Sequence, residues 1–274
     1  MKLLAVDVGG TRIKWLAADG RHGELPTPRN GESVIRSVLE LRATTGSETV
    51  ALALPGIIDP DRRIWRYAAN LEVRNLPVGD RFAESGVPLH VLINDVAAAA
   101  AGEANGESLA LLQLGTGVGC RIVQGGQVLD GHSGMPGEIG HLVVEPDGPV
   151  CSCGLRGCVE AIAGWKAVRP QLAALGLPED PAVLIGAETS SAPLAERVFG
   201  ALGWAAAAIV AVVDPGEVRL GGGLAVAWGD EGASRVAAAM ERRLLPDLSR
   251  RTRVTVSRLG DSAALHGLRR LSGA

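Results

Sequence analysis

The sequence lacks long hydrophobic runs, an excess of charge of either sign, and any abundance of cysteine or lysine. The longest apolar stretch, Trp204 to Val213, extends to about 13 residues, whereas a bilayer span takes ~18 or more. It reads as a buried helix, and no membrane partner is expected. After Met1, the acid Asp7 and the pair Gly9-Gly10 arrive before a signal-peptide apolar region could form, which predicts a cytoplasmic protein. With 27 Lys plus Arg against 30 Asp plus Glu the net charge is −3, so neither a polybasic nucleic-acid surface nor an acidic tail shows at the whole-chain level. Small-molecule chemistry is the better expectation. The remainder, 47% apolar and 21% charged over 274 residues, is ordinary globular composition sufficient for one large domain or two small ones. A peptide hormone or disulfide miniprotein is excluded.

Only four cysteines are present, and three crowd into Cys151-Ser152-Cys153-Gly154-Leu155-Arg156-Gly157-Cys158. Without a secretory signal, such clustering reads as metal binding more readily than as disulfides. Cys120 stands alone among apolar neighbours and reads as a small core residue.

Strands are expected at Leu3 to Val8, Arg12 to Ala18 and near Glu24-Leu25, a meander whose first turn is Gly9-Gly10-Thr11. The same grammar returns later: Leu109 to Leu114, the turn Gly115-Thr116-Gly117, then Val118 to Val123, Gly125-Gly126 and Gln127 to Leu129. The chain looks internally duplicated. Val34, Val38 and Leu41 keep helical spacing, and Val50 to Leu54 and Val91 to Ile93 read as buried strands. In the second half, helices around Ala161 to Ala174 and Leu194 to Val213 precede a strand at Glu217 to Leu220. A glycine interruption at 221–223 is followed by a helix from roughly Gly232 to Leu244, a strand at Arg253 to Ser257 and a last helix near Ser262 to Leu271. This predicts two α/β domains, 1–106 plus 259–274 and 107–258, packed closely around a ligand-binding cleft.

In Asp7-Val8-Gly9-Gly10-Thr11-Arg12-Ile13-Lys14, glycines let backbone N–H groups approach a phosphate, Thr11 adds a hydroxyl, and Asp7 can hold hydrated Mg²⁺. A plain hairpin turn explains the segment equally well. Leu114-Gly115-Thr116-Gly117-Val118-Gly119 puts a second such loop in the equivalent turn of the other half, and two facing loops would clamp a polyphosphate. Val91-Leu92-Ile93-Asn94-Asp95 is an apolar strand ending in an amide and a carboxylate. Asp95 could accept the proton of an attacking hydroxyl, or cap the alanine-rich helix that follows.

These segments, with Gly137-Glu138-Ile139-Gly140-His141 and Cys-x-Cys-Gly-x-x-Gly-Cys-x-Glu, together resemble the ROK family of sugar kinases and sugar-responsive repressors. The resemblance runs from Asp7 to the glycines at 221–223, and it implies two actin-like, RNase H-like domains of the hexokinase type. By that similarity Asp95 matches the catalytic base. His141, Cys151, Cys153 and Cys158 form a complete tetrahedral Cys₃His set with no position left for a catalytic water, so the implied zinc is structural. It would order a loop rich in glycine and proline and fix Glu138 and Glu160, the latter a sugar contact in the family, while His141 would serve metal and sugar together. A zinc-ribbon or nucleic-acid role is disfavoured, because the cluster is single and has no basic, aromatic-rich flank.

Weaker signals complete the set. Asn94, beside Asp95, can hydrogen-bond another hydroxyl, while Gly56 and Asn70 correspond to segments lining the family's sugar site, although on residue chemistry alone Leu54-Pro55-Gly56 and Asn70-Leu71 are turns. The aromatic common after Asn-Leu is absent, with Val73 and Arg74 in its place, and Ala97 stands where an Asn is common. Gly222 and Gly223 would let adenine and ribose lie against backbone, or simply form a helix-entry turn. Lys14 is one of three lysines, with Lys2 and Lys166, and is either a phosphate ligand or a solvated strand residue.

The expectation is an ATP- and Mg²⁺-dependent kinase for the 6-hydroxyl of an aldohexose, glucose foremost, with N-acetylglucosamine or N-acetylmannosamine as alternative substrates. A sugar-sensing regulator is a weaker rival, since six residues before Asp7 leave no room for a helix-turn-helix. A polyphosphate donor is disfavoured by the cysteines, and the resemblance implies a homodimer or homotetramer.

Overall fold

The computed structural model describes residues 2–132, 134–186 and 189–274, with the backbone alone at Ala69. The chain divides into two compact units: Met1–Gly106 with Asp130–Pro136 and Ser262–Ala274, and Glu107–Leu129 with Gly137–Asp261. The division therefore differs from the expected one. Asp130–Pro136 leaves the second half for the first, where Gly134 packs against the Ile58 carbonyl, and 259–261 stay with the second.

The first unit opens with β1 (Leu3–Val8), β2 (Arg12–Ala17) and β3 (His22–Pro26), followed by α1 (Gly31–Thr45) and β4 (Thr49–Leu54). Next come β5 (Ile57–Asp59), β6 (Ile64–Ala68) and β7 (Val73–Leu76), then α2 (Val78–Glu84), β8 (Leu89–Asn94) and α3 (Asp95–Ala104). The main sheet runs β3-β2-β1-β4-β8, antiparallel through the meander and parallel from β1 to β4 to β8. All six residues of β4 are buried, as a strand covered on both faces requires. α1 starts where Asn30 accepts the Ser33 N–H at 2.9 Å and stops at Gly46, whose φ of 66° is left-handed. The separate sheet β5-β6-β7 was not expected from sequence.

The second unit holds β9 (Leu109–Leu114), β10 (Val118–Gln124), β11 (Gln127–Val128), α4 (Val159–Ala163), α5 (Trp165–Ala174) and α6 (Ala192–Val213). It continues with β12 (Glu217–Gly221), α7 (Gly222–Glu241), α8 (Pro246–Arg251) and β13 (Arg253–Val256), before α9 (Ala263–Leu271) returns to the first unit. Its sheet runs β11-β10-β9-β12-β13, with β9–β12 and β12–β13 parallel, which repeats the first sheet strand for strand. The duplication read from the glycine turns is thus a duplication of topology.

Two helices differ from expectation. The one expected at 161–174 is broken at Gly164, whose extended backbone (φ −67°, ψ 145°) separates α4 from α5. The one expected from 232 begins ten residues earlier, because Gly221 and Gly222 form the helix entry themselves; Gly229 (φ 55°, ψ −151°) then kinks it. α6 is 22 residues, long and apolar enough by composition to cross a bilayer, yet 56% of its apolar window is buried. Val198, Leu202, Ala206 and Val210, spaced four apart on one face, pack into the core of the second unit.

With so few aromatics, two tryptophans anchor the cores. Trp65 and Trp228 are buried, and each indole N–H donates to a backbone carbonyl, that of Pro55 at 2.8 Å and of Pro181 at 2.9 Å. The alanine run of α3 is explained by its partner α9: a Cβ on Gly267 would lie 1.7 Å from the Ala98 carbonyl oxygen, and one on Gly102 2.1 Å from that of Ala263. Only small residues permit this approach of two helix backbones.

Candidate functional site

In the first unit, the β1–β2 turn is closed by the Gly9 N–H donating to the Arg12 carbonyl at 2.9 Å. Thr27 pins the turn from β3's end, its hydroxyl on the Gly9 carbonyl at 2.8 Å and its N–H on the Thr11 carbonyl at 3.0 Å. Gly10 and Thr11 are exposed, and a Cβ on Gly10 would meet open space. Asp7 stands opposite Lys14 across the β1–β2 ladder, one register step from the turn.

The end of β8 carries the second cluster. Asn94 caps α3, its Oδ1 accepting the Ala97 N–H at 3.1 Å, and Asp95 is the first helical residue. The capping role that competed for Asp95 thus belongs to its neighbour. Asn94 Nδ2 donates to Asp95 Oδ1 at 2.9 Å and to the Gly56 carbonyl at 3.0 Å, while Asp95 Oδ1 also accepts the Val96 N–H at 2.9 Å. Two donors on one oxygen orient the carboxylate. Gly56 has φ of 85°, and a Cβ there would stand 2.1 Å from the Tyr67 carbonyl oxygen, so glycine is required twice over. Asn70 is exposed in a 3₁₀ turn and joins none of these bonds. Val73 is buried, and the part-exposed ring of Tyr67 on β6 is covered by the Arg74 guanidinium at 5.6 Å.

In the second unit, the Gly115 N–H donates to the Gly117 carbonyl at 3.0 Å. The outward carbonyls of that turn are taken by the first amides of α5, Trp165 N–H to Gly115 at 2.9 Å and Lys166 N–H to Thr116 at 3.1 Å. Gly222, at φ 84°, brings the α7 entry against β9, where a Cβ would lie 2.2 Å from the Leu114 carbonyl oxygen, while Gly223 faces open space. Gly115–Gly117, Gly222, Gly223 and the start of α5 therefore form one assembly.

Next to it, Glu160 in the first turn of α4 uses both carboxylate oxygens on protein. Oε2 accepts the Val118 N–H at 3.1 Å, and Oε1 accepts the Ser152 hydroxyl at 3.1 Å. A Cβ on Gly117 would come within 2.2 Å of Oε2, so the glycine turn and Glu160 are mutually fitted.

One ligand atom each from His141, Cys151, Cys153 and Cys158 gathers within 4.8 Å. Cys153 Sγ and Cys158 Sγ are 3.7 Å apart, and Cys151 Sγ and His141 Nδ1 are 3.5 Å apart. Tetrahedral zinc, with Zn–S about 2.3 Å and Zn–N about 2.05 Å, has edges of about 3.8 and 3.5 Å. The donor set fits zinc in both kind and spacing. Burial pushes the Cys158 thiol up to about 12, while the Leu155 backbone N–H draws Cys153 down, so a cation's charge is what would ionise the buried thiol. His141 keeps Nε2 for the other side, 3.9 Å from Glu138 Oε2. Cys120 is buried, its thiol pushed up to about 12 by burial, in keeping with a core role.

Sequence reasoning missed Thr27, Ser152 and the α5 amides. Thr27 and Ser152 occupy positions with no pattern of their own, and backbone donors carry no residue signal.

The model of the ROK family matches residues 3–273. The chain is 34% identical to a glucokinase of Thermotoga maritima over 261 residues, 82% of each chain. It is 35% identical over 187 residues to an N-acetylmannosamine kinase of Shigella flexneri, 61% of this chain and 63% of that one. Among solved structures, a ROK family glucokinase from Streptomyces griseus in complex with glucose and AMPPNP superposes with a TM-score of 0.79 at 27% identity, covering 99% of both chains.

Proposed function

The chain belongs to the ROK family, with its two actin-like domains, and from that premise we propose that it is an ATP-dependent hexose kinase transferring the γ-phosphoryl group to the 6-hydroxyl of glucose. The similarity to glucokinases over most of the chain supports the activity, and the orientation of Asp95 supports the mechanism. Asp95 accepts the proton of the sugar hydroxyl as its oxygen attacks phosphorus, and Asn94 holds the carboxylate in place through Nδ2 while tying it to Gly56. Glu138, His141, Glu160, Asn70 and the Gly56 backbone serve the sugar.

On the nucleotide side, Gly10 and Thr11, in the turn closed by the Gly9 N–H, and Thr116 and Gly117, in the turn closed by the Gly115 N–H, offer backbone N–H and hydroxyl donors to phosphate oxygens. Gly222 and Gly223 leave room for adenosine, and Lys14 adds positive charge near Asp7. Mg²⁺ held by Asp7 and the phosphates would neutralise charge on the transferring group. Little covalent chemistry is asked of the protein, so the rate comes from positioning and electrostatics.

Zinc on His141, Cys151, Cys153 and Cys158 has a structural role in this reading, because all four positions are filled by protein. The hairpin it would order leaves Leu142, Val143, Val150 and Leu155 exposed, so it buries little apolar surface of its own. A cytoplasmic location and a homodimer or homotetramer complete the proposal.

A second reading has its own support in the N-acetylmannosamine kinase similarity: the same mechanism on a 2-acetamido hexose. The test is to incubate the protein with glucose, ATP and Mg²⁺ and identify the product by ³¹P and ¹H NMR. A 6-phosphate ester is expected; no phosphorylated glucose would overturn the glucose assignment.

A further inference from the structure

Glu160 is pinned between two elements of the second unit that are far apart in sequence. Its Oε2 holds the N–H of Val118, the residue that follows the Gly115–Gly117 turn, and its Oε1 holds the hydroxyl of Ser152, which lies between Cys151 and Cys153 in the Cys₃His hairpin. Ser152 Oγ is also 3.9 Å from Cys151 Sγ. Ser152 is itself exposed, so no core packing explains its contact with Glu160.

We infer that Ser152 is a positioning residue: acting through Glu160, it ties the Cys₃His hairpin to the phosphate turn, so that order in the hairpin sets the geometry with which Thr116 and Gly117 meet the nucleotide. The kinetic consequence rests on the kinase reading above, whereas the mechanical link does not. A carboxylate has about four lone-pair sites, so two protein bonds leave Glu160 able to accept a sugar hydroxyl as well. The residue would then be in contact with acceptor, phosphate turn and metal hairpin at once. Removing the hydroxyl at 152 leaves Oε1 without its donor and lets the carboxylate rotate away from Val118, because a single bond no longer defines its plane.

The experiment compares wild type, Ser152→Ala and Ser152→Thr by three measurements: zinc content, hydrogen exchange at the Val118 amide, and steady-state kinetics in ATP. Ser152→Ala should retain one equivalent of zinc and exchange Val118 about fivefold faster, the loss expected for one net hydrogen bond. Its KM for ATP should rise by a similar factor with kcat changed by less than about twofold, and Ser152→Thr should restore both. Metal-stripped wild type should also exchange Val118 faster. Unchanged Val118 exchange in Ser152→Ala, or loss of zinc from that variant, overturns the inference. If the exchange results hold but wild type phosphorylates no hexose, the tie stands and the kinase reading falls.

Discussion

The Asn94 side-chain amide donates to Asp95 Oδ1 at 2.9 Å while its own oxygen caps α3 on the Ala97 N–H at 3.1 Å. One residue therefore both starts the helix and orients the carboxylate that begins it. Asn94→Ala should lose about 1 kcal/mol of stability for the cap. It should also lower kcat by more than that loss of stability accounts for, since Asp95 would be present but turned. Thermal melts beside kcat measurements separate the two; a variant with a lowered melting temperature and normal kcat would leave Asn94 with capping alone.

Two glycines with opposite surroundings make a paired test. Gly267→Ala would set a methyl 1.7 Å from the Ala98 carbonyl oxygen, forcing α9 off α3 at a cost of about 3 kcal/mol or more. Gly10→Ala meets nothing within 4 Å, so its melting temperature should match wild type while its KM for ATP rises. Equal stability of the two variants would show that the α3–α9 approach is looser than described.

Metal removal should act on the hairpin and not on the cores. Purified protein should carry one zinc per chain by elemental analysis. Cys153→Ser, which deletes one of four donors, should lose it and weaken sugar binding, with the far-ultraviolet spectrum nearly unchanged. A variant that keeps one full equivalent would mean that the ligands are other residues.

Acid stability offers a test remote from the site. Glu217 and Arg219 are neighbours on one face of β12, both buried, with Arg219 donating to Glu217 at 2.7 Å. Burial raises the Glu217 carboxyl, but the Thr255 hydroxyl and the Arg219 and Arg253 guanidinium groups outweigh it and hold it below its ordinary 4.5. A depressed carboxylate contributes stability that is present above about pH 4.5 and is lost as pH falls through the lower folded value. Melting temperature should therefore fall between pH 5 and 3 more steeply in wild type than in Glu217→Gln. Parallel pH profiles would remove Glu217 from the acid transition.

Much of this was legible in the sequence because it was written in residue types. Glycine and threonine turns between alternating strands announced the repeated meander, and three cysteines with a histidine announced the cluster that the fold gathers within 4.8 Å. The β5-β6-β7 sheet was not legible, since its strands are short, a bulge falls between Ile57 and Ile58, and positive φ occurs at Arg63 and Glu72 in its connections and at Asn75 within β7, where no glycine marks it. The start of α7 was hidden for the reverse reason: three successive glycines suggest a break, yet Gly221 and Gly222 build the helix entry. At the site, Asn94 and Asp95 were both visible, but which of them caps the helix is decided by one hydrogen bond that no spacing encodes.

The most direct measurement is ADP release by metal-replete protein with ATP and Mg²⁺, across glucose, mannose, N-acetylglucosamine and N-acetylmannosamine, for wild type and Asp95→Asn. Wild type should turn over glucose in preference to the other three. Asp95→Asn should still bind glucose by calorimetry while losing about 10²- to 10⁴-fold in kcat, the range for a general base. Turnover confined to an acetamido sugar would replace the substrate and keep the mechanism, whereas an Asp95→Asn variant with wild-type turnover would contradict the account at its centre.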